Sequence, residues 1–262
     1  MAAALVTGAA AGAAMLVVMA FAWLVQRITA NSGWVDACWS LGTGLIGAAG
    51  ALLVAGDAVR AALVAACAAL WGLRLGLHIA ARTAGRPEDV RYAGFRAAHG
   101  AGFQRWMFGF MMVQAVAAWP LIGAILLAAA NPAPAPRAAD LLALIVLAAA
   151  VLGEAVADRQ MERFRRDPAA HGRICDRGLW RYSRHPNYFF EWLGWCAYPL
   201  FAINLGGWAW GWLALAAPAV MYWLLMHVSG IPLLEAAMLQ RRGAAYRDYQ
   251  ARTPAFFPWF PG

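Results

Sequence analysis

Lysine is missing: all 21 basic residues of this 262-residue chain are arginine. The chain is also rich in alanine and glycine, so this absence reads as compositional bias and excludes no function. Charge of either sign is scarce. Only 13% of the residues are charged and 63% are hydrophobic, which excludes an ordinary soluble domain and places the chain among integral membrane proteins. Cysteine is sparse too. Cys38, Cys67, Cys175 and Cys196 are scattered without metal-ligand spacing, so no thiolate metal centre is expected. Cys38, Cys67 and Cys196 read as small packing residues within apolar runs. No basic leader precedes the first apolar run, which is therefore expected to be a span and not a cleaved signal. No internal repeat and no soluble second domain is visible, and residues 1–262 read as one transmembrane domain of undetermined oligomeric state.

Long apolar runs are what the chain has in abundance. A bilayer core needs about 20 apolar residues per helix. That rule predicts an all-α integral membrane protein with about seven spans, at Ala3–Val25, Trp34–Val54, Ala58–Ala80, Trp106–Ala129, Leu141–Ala157, Tyr188–Ile203 and Trp208–Val228. The NPAPAPR stretch (Asn131–Arg137) breaks any helix between spans four and five, and NLGG (Asn204–Gly207) reads as a tight turn. With this spacing, 19 of the 21 arginines fall on one side, and only Arg60 and Arg137 on the other. The positive-inside rule then sets the N-terminus outside and the C-terminus in the cytoplasm. A net charge of +8 would also suit nucleic acid, but topology already explains arginines placed between spans, and no nucleic-acid partner is expected.

The chemistry-bearing residues gather around the basic stretch Asp167–Glu191. Arg173, Arg177, Arg181 and Arg184 precede His185, Pro186, Asn187, Tyr188 and Glu191. Guanidinium groups bind phosphate bidentately. Asn187 and Glu191 stand one helical turn apart on one face, with Glu191 inside an apolar run where a carboxylate costs roughly 2.5–3.5 kcal/mol. Phosphate-binding charge beside a buried amide and carboxylate suggests a long amphipathic cofactor. A His-Pro that merely starts a helix, with Arg184 snorkelling to headgroups, also fits the segment but leaves Glu191 unexplained. Glu154, Asp158 and Glu162 share a helical face at the end of span five; they fit a solvated helix end or groups that orient arginines and ribose hydroxyls. Glu235, after SGIP, fits either a partner for an arginine of the basic loop or an exposed acid at a helix start.

The motifs GLWRYSRHPNYFFEW (Gly178–Trp192), VSGIPLLE (Val228–Glu235) and YRDYQARTPAFFPWF (Tyr246–Phe260) resemble the bacterial steroid 5-alpha-reductase-like membrane proteins, catalogued as a domain of unknown function. The upstream NSGWVDACWSLG (Asn31–Gly42), RPEDVRY (Arg86–Tyr92) and ADRQMERF (Ala157–Phe164) resemble the same family. The resemblance implies a multi-pass protein of the bacterial inner membrane. It also implies NADPH, held by Asp158, Arg165, Arg173, Arg177, Tyr182, Arg184, His185, Asn187, Tyr188, Glu191 and Glu235. Residues 138–262 would form that cofactor site, and residues 1–130 the pocket for a lipophilic substrate entering from the bilayer lipids. The implied reaction moves hydride from NADPH to the β-carbon of an enone while an acid polarises the carbonyl. The steroid enzymes' polarising Glu and Tyr have no direct match here, and Asp36, His78 and Tyr92 are the candidates. Asp36 also fits a helix-start charge, His78 a buried hydrogen-bonded histidine, and Tyr92 a loop anchor. No metal is implied.

Two other readings stay open. Isoprenylcysteine-type carboxyl methyltransferases also carry RHP-x-Y before a helical hairpin, which makes S-adenosylmethionine the rival cofactor; their usual paired glutamates are replaced here by Leu234-Glu235-Ala236. A non-enzymatic lipid-binding protein would use the polar groups for topology alone.

Overall fold

The apolar runs fold as helices throughout. The computed structural model describes residues 2–54 and 56–262 and is all-helical; among the described residues the one extended pairing is a bridge between Asn204 and Trp208. Three long helices open the chain: α1 (Ala2–Thr29), α2 (Gly33–Leu53) and α3 (Ala58–Thr83). The short α4 (Val90–His99) leads into α5 (Phe103–Ala117) and α6 (Trp119–Ala129), separated at Ala118. Then come α7 (Ala138–Arg166), α8 (Pro186–Trp195), α9 (Ala197–Ala202), α10 (Ala216–Trp223), α11 (Ile231–Arg242) and α12 (Ala244–Arg252). Helix starts follow local chemistry. The Asp57 carboxylate accepts from the backbone N–H of Arg60, and Asp89 from that of Arg91, each at 3.0 Å, which satisfies donors that a first turn leaves open. Pro186 and Pro232 occupy first-turn positions where no N–H is needed.

Six segments are long and apolar enough to cross a membrane: Ala4–Thr29, Gly33–Leu53, Ala58–Thr83, Arg91–Ala129, Ala138–Arg166 and Ala209–Arg242. The expected run Tyr188–Ile203 is not among them. It is divided at Cys196 into α8 and the six-residue α9. Pro199 lacks the N–H that would bond the Trp195 carbonyl, so a continuous helix cannot form there.

The chain packs as two compact units, Met1–Ala143 with Tyr198–Ala217, and Leu144–Ala197 with Pro218–Gly262. The start of α7 up to Ala143 thus packs in the first unit and the rest of that helix in the second. Within the first unit α2 and α3 approach through glycine. A Cβ on Gly44 would lie 2.6 Å from the Gly72 Cα, and one on Gly72 2.7 Å from the Gly44 Cα; small residues at such crossings let helix backbones touch.

The two arginines expected to be sparse outer charges clasp the end of this unit. Arg60 is fully buried, and all five of its N–H groups are used. Nε and Nη2 donate to the Asp140 carboxylate at 3.1 and 3.0 Å, Nη1 to the carbonyls of Asn131 and Ala133, and Nη2 also to that of Pro134. Arg137 Nη2 donates to the same carboxylate at 2.7 Å, and its Nη1 to the Ile203 carbonyl at the end of α9. The proline-rich loop, which has few partners of its own, is thereby satisfied by two guanidinium groups around one buried carboxylate.

Candidate functional site

In the first unit, the start of α2 is joined to the loop before α4. Asn31 donates to the Arg86 carbonyl at 3.0 Å, and the Ser32 N–H to Glu88 at 3.0 Å. Glu88 is also gripped by Arg96, with Nε at 3.1 Å and Nη2 at 2.8 Å. Burial raises the Glu88 carboxyl pKa, but the hydrogen bonds from Arg96 and Ser32 outweigh it and hold the group below the usual range. Asp89 behaves alike: burial raises it, and the charge and hydrogen bonds of Arg91 bring it below its ordinary value.

This joint presents Asp36, Arg91 and Tyr92 to one another. Arg91 Nη2 donates to Asp36 Oδ2 at 2.7 Å, and the Tyr92 hydroxyl donates to Asp36 Oδ1 at 2.7 Å. The Arg91 guanidinium lies 5.5 Å from the Tyr92 ring centre, close enough for cation–π attraction. Tyr92 is buried and Asp36 partly so. Asp36 does sit in the first turn of α2 and Tyr92 does anchor its loop, yet the same bonds also build a phenol–carboxylate–guanidinium group. His78 lies elsewhere. It is exposed on α3, so the expectation of a buried histidine is corrected.

In the second unit, the basic loop is strapped by the C-terminal tail. The Trp259 N–H donates to the Tyr182 carbonyl and the Arg184 N–H to the Pro254 carbonyl, both at 2.9 Å. Ser183 Oγ reaches the Phe256 carbonyl at 2.9 Å, and the Tyr249 hydroxyl donates to the Trp180 carbonyl. Tyr246 and Tyr249 are buried inside this unit, and burial pushes both phenol pKa values up. On the other flank of the loop, Trp180 Nε1 donates to the Ala157 carbonyl at 3.0 Å, and the Leu179 N–H to Gln160 at 2.9 Å.

Arg184, His185 and Glu235 form the centre of this strap. Arg184 Nε and Nη2 hold the two Glu235 oxygens at 2.7 and 3.1 Å, and its Nη1 donates to the carbonyls of Gln250 and Thr253. Gln250 donates to Glu235 at 2.7 Å. His185 Nε2 lies 3.1 Å from Glu235, and its ring stacks on Tyr188 at 5.7 Å. Burial lowers the His185 pKa more than Glu235 raises it, so the ring is neutral at pH 7 and donates from Nε2. Glu235 therefore pairs with an arginine of the basic loop, and the bonds of these three side chains close on the protein itself. Glu162 forms an exposed (i, i+4) pair with Arg166 at 2.9 Å.

The remaining expected cofactor residues fall into two sets. Arg165, Arg173 and Arg177 are exposed, at the end of α7 and in the basic loop, with Asp158 half-buried on α7. Asn187 and Glu191 lie one turn apart on α8, Asn187 half-buried and Glu191 buried. Trp195 Nε1 donates to Glu191 Oε1 at 2.9 Å, so this carboxylate is oriented from its own helix. Tyr182 is half-buried, edge-on to Phe260 at 5.8 Å. Asp140 carries the most deeply buried carboxylate described here and was not singled out from sequence; its signal was an acid in the first turn after a proline-rich loop.

These features define a multi-pass helical membrane protein with a buried tyrosine bonded to a half-buried aspartate in one unit and an arginine-rich, tail-strapped loop in the other. The family model described as "Protein of unknown function (DUF1295)" matches residues 22–253, and the chain belongs to that family. No curated protein and no solved structure matches the chain.

Proposed function

We propose that this protein is a membrane-embedded, NADPH-dependent reductase that saturates the activated C=C of a lipophilic enone. The observation that carries the reading is the Tyr92 hydroxyl held on Asp36 beside Arg91. Reduction of an enone builds negative charge on the carbonyl oxygen, and a pre-aligned donor in a water-poor site stabilises that charge strongly. Tyr92 turns its O–H from Asp36 to the substrate oxygen. Asp36 stays paired with Arg91, so no buried carboxylate is left unneutralised.

The residues present fit the cofactor. The exposed guanidinium groups of Arg165, Arg173 and Arg177 suit phosphates, including a 2′-phosphate. The Asn187 amide and the Glu191 carboxylate suit a carboxamide, which both donates and accepts. NADPH, when bound, supplies the hydride that adds to the β-carbon. Arg184, His185 and Glu235 are assigned to holding the tail instead. The substrate enters from the lipid.

The proposed setting is a bacterial cytoplasmic membrane with the N-terminus outside. For the basic loop and the tail arginines to share the cytoplasmic side, the chain between Arg184 and Arg241 crosses an even number of times. Segment Ala209–Arg242 is long and apolar enough for one crossing; in this proposal α8 with α9 makes the short second, for seven in all.

Thermal stability in mild detergent tests the reading. A ligand at 100 times its Kd adds about 2.7 kcal/mol, so NADPH raises Tm where NADH raises it little, and Arg173→Ala reduces the NADPH shift. A shift with S-adenosylmethionine alone overturns the proposal in favour of a methyltransferase, and an unchanged shift in Arg173→Ala removes the phosphate assignment.

A further inference from the structure

One end of the first unit carries cations that no acid answers. Arg27 stands in the last turn of α1 and Arg105 in the first turn of α5, and both are exposed. Among the described residues neither has a carboxylate partner. The acids at this end are already taken: Asp36 and Asp89 by Arg91, and Glu88 by Arg96.

Trp23 brings the two arginines to one seam. The Arg27 guanidinium lies over its ring, 4.7 Å from the centre, a cation–π contact that steadies a side chain otherwise loose in solvent. Trp23 Nε1 donates to the Gln104 carbonyl at 3.1 Å, and that carbonyl belongs to the peptide unit that begins Arg105. Phe108 meets the Trp23 ring edge-on at 5.5 Å, and Gln26 donates to Gln104 at 2.7 Å. These contacts lock α1 against α5 with one guanidinium on each side.

Depth says what meets them. Arg27 stands two residues before the end of Ala4–Thr29, a segment long and apolar enough to cross a membrane, so it lies where hydrocarbon gives way to headgroups. Phe21, Leu24 and Ile28 are exposed. Spaced by three and four, they form one stripe of α1, and Arg27 adjoins it. On α5 the exposed Phe108 lies one turn below Arg105. Exposed apolar side chains on a membrane-crossing helix face acyl chains. The seam therefore offers two free positive charges at headgroup level, with apolar surface directly beneath.

We infer that the α1–α5 seam binds an anionic phospholipid, its phosphate between Arg27 and Arg105 and an acyl chain along Leu24 and Phe108. Guanidinium groups suit a phosphate diester, and basic sites between membrane helices recognise anionic headgroups. The ammonium of a zwitterionic headgroup would be repelled by two uncompensated positive charges, so the net charge of the ligand is negative. Bound there, the lipid ties α1 to α5 from the bilayer side.

The test titrates the full-length protein in mild detergent with dioleoyl phosphatidylglycerol or dioleoyl phosphatidylcholine and reads bound lipid by native mass spectrometry. Wild type should prefer phosphatidylglycerol. Arg27→Gln and Arg105→Gln should each weaken its binding about fivefold, the scale of one basic residue at a charged lipid surface, and leave phosphatidylcholine unchanged. Both side chains are exposed, so the lipid-free variants should melt close to wild type. Arg247→Gln, which removes an exposed arginine of α12, should change neither affinity; an equal loss there would mean general charge attraction and overturns the site. Equal binding of the two lipids by wild type overturns it, as does a preference that survives the Arg27→Gln, Arg105→Gln double variant. Glycerol 3-phosphate has the charge without the chains and should not displace the lipid. If it competes as well as phosphatidylglycerol, the seam takes free phosphate and the lipid assignment falls.

Discussion

Arg184 holds Glu235 with two parallel hydrogen bonds, Nε to Oε1 at 2.7 Å and Nη2 to Oε2 at 3.1 Å, across 51 residues of sequence. The same guanidinium reaches the tail carbonyls of Gln250 and Thr253. One arginine thus ties the basic loop, α11 and the tail together. Both side chains are little exposed, 11% and 13%, so removing one charge strands the other. Glu235→Gln should destabilise the protein by about 3 kcal/mol, the low end of the range for a broken buried pair. The tail contains Arg241, Arg242, Arg247 and Arg252, and limited trypsin digestion reads its release: the variant should be cut there well before wild type. Equal cleavage rates would mean that the strap is held without this pair.

His185 makes the same cluster sensitive to pH. Its folded pKa lies below its ordinary value because burial disfavours the charged ring. An unfolded histidine takes up a proton near pH 6.5. Above that pH neither state is protonated and the contribution is fully present; as pH falls below it, the unfolded chain binds a proton that the folded chain refuses. Stability is therefore lost on the acid side, by no more than about 1.4 kcal/mol per pH unit for one proton. The flanking charges are Arg184 and Glu235. Tm recorded from pH 7.5 to 5.5 should fall in wild type and flatten in His185→Gln. A His185→Gln protein with the wild-type slope would place the titrating group elsewhere.

The Arg60–Asp140 network makes a prediction of stability alone. Arg60 and Asp140 are both wholly buried. Asp140→Asn leaves a guanidinium without its counter-charge and should cost about 3–5 kcal/mol in denaturant unfolding. Arg60→Met combined with Asp140→Leu should cost less than the sum of the two single changes, because the second removes a charge the first has already orphaned. Additive losses would show that the pair is not coupled.

What was legible in the sequence divides along physical lines. Apolar runs and helix-breaking prolines show locally, so α1, α2, α3, α7 and the Asn131–Arg137 loop were expected close to where they fold. The interruption at Pro199 was present in the letters, but hydropathy averages over a proline, and α8 and α9 were expected as one span. Pairings between distant residues were half legible. The separate importance of Asp36, Tyr92 and Glu235 could be argued from charge in apolar surroundings. That Tyr92 bonds Asp36, or that Arg184 turns inward to Glu235 and away from solvent phosphate, depends on how loops return to helices 50 or more residues away. Asp140 was invisible for the same reason: a buried acid is defined by its surroundings.

The reaction itself stands or falls on Tyr92. Removing its hydroxyl while keeping the ring should spare the fold, since the ring is buried and stacks edge-on to Phe95 at 6.2 Å. In the proposed reductase, Tyr92→Phe removes the donor at the developing enolate and should lower kcat on a lipophilic enone by about 10²–10³-fold, the usual loss for one such donor. The thermal shift given by NADPH should stay the same, because no phosphate- or carboxamide-binding group is touched. Asp36→Asn should slow the reaction through the same hydroxyl, by weakening the bond that orients it. If Tyr92→Phe turned over the enone at the wild-type rate, the hydroxyl would be only a loop anchor and the carbonyl would be polarised by another group. If kcat were unchanged and Tm fell sharply, the Asp36–Tyr92 bond would be a structural clasp of the kind that Asp140 provides for Arg60.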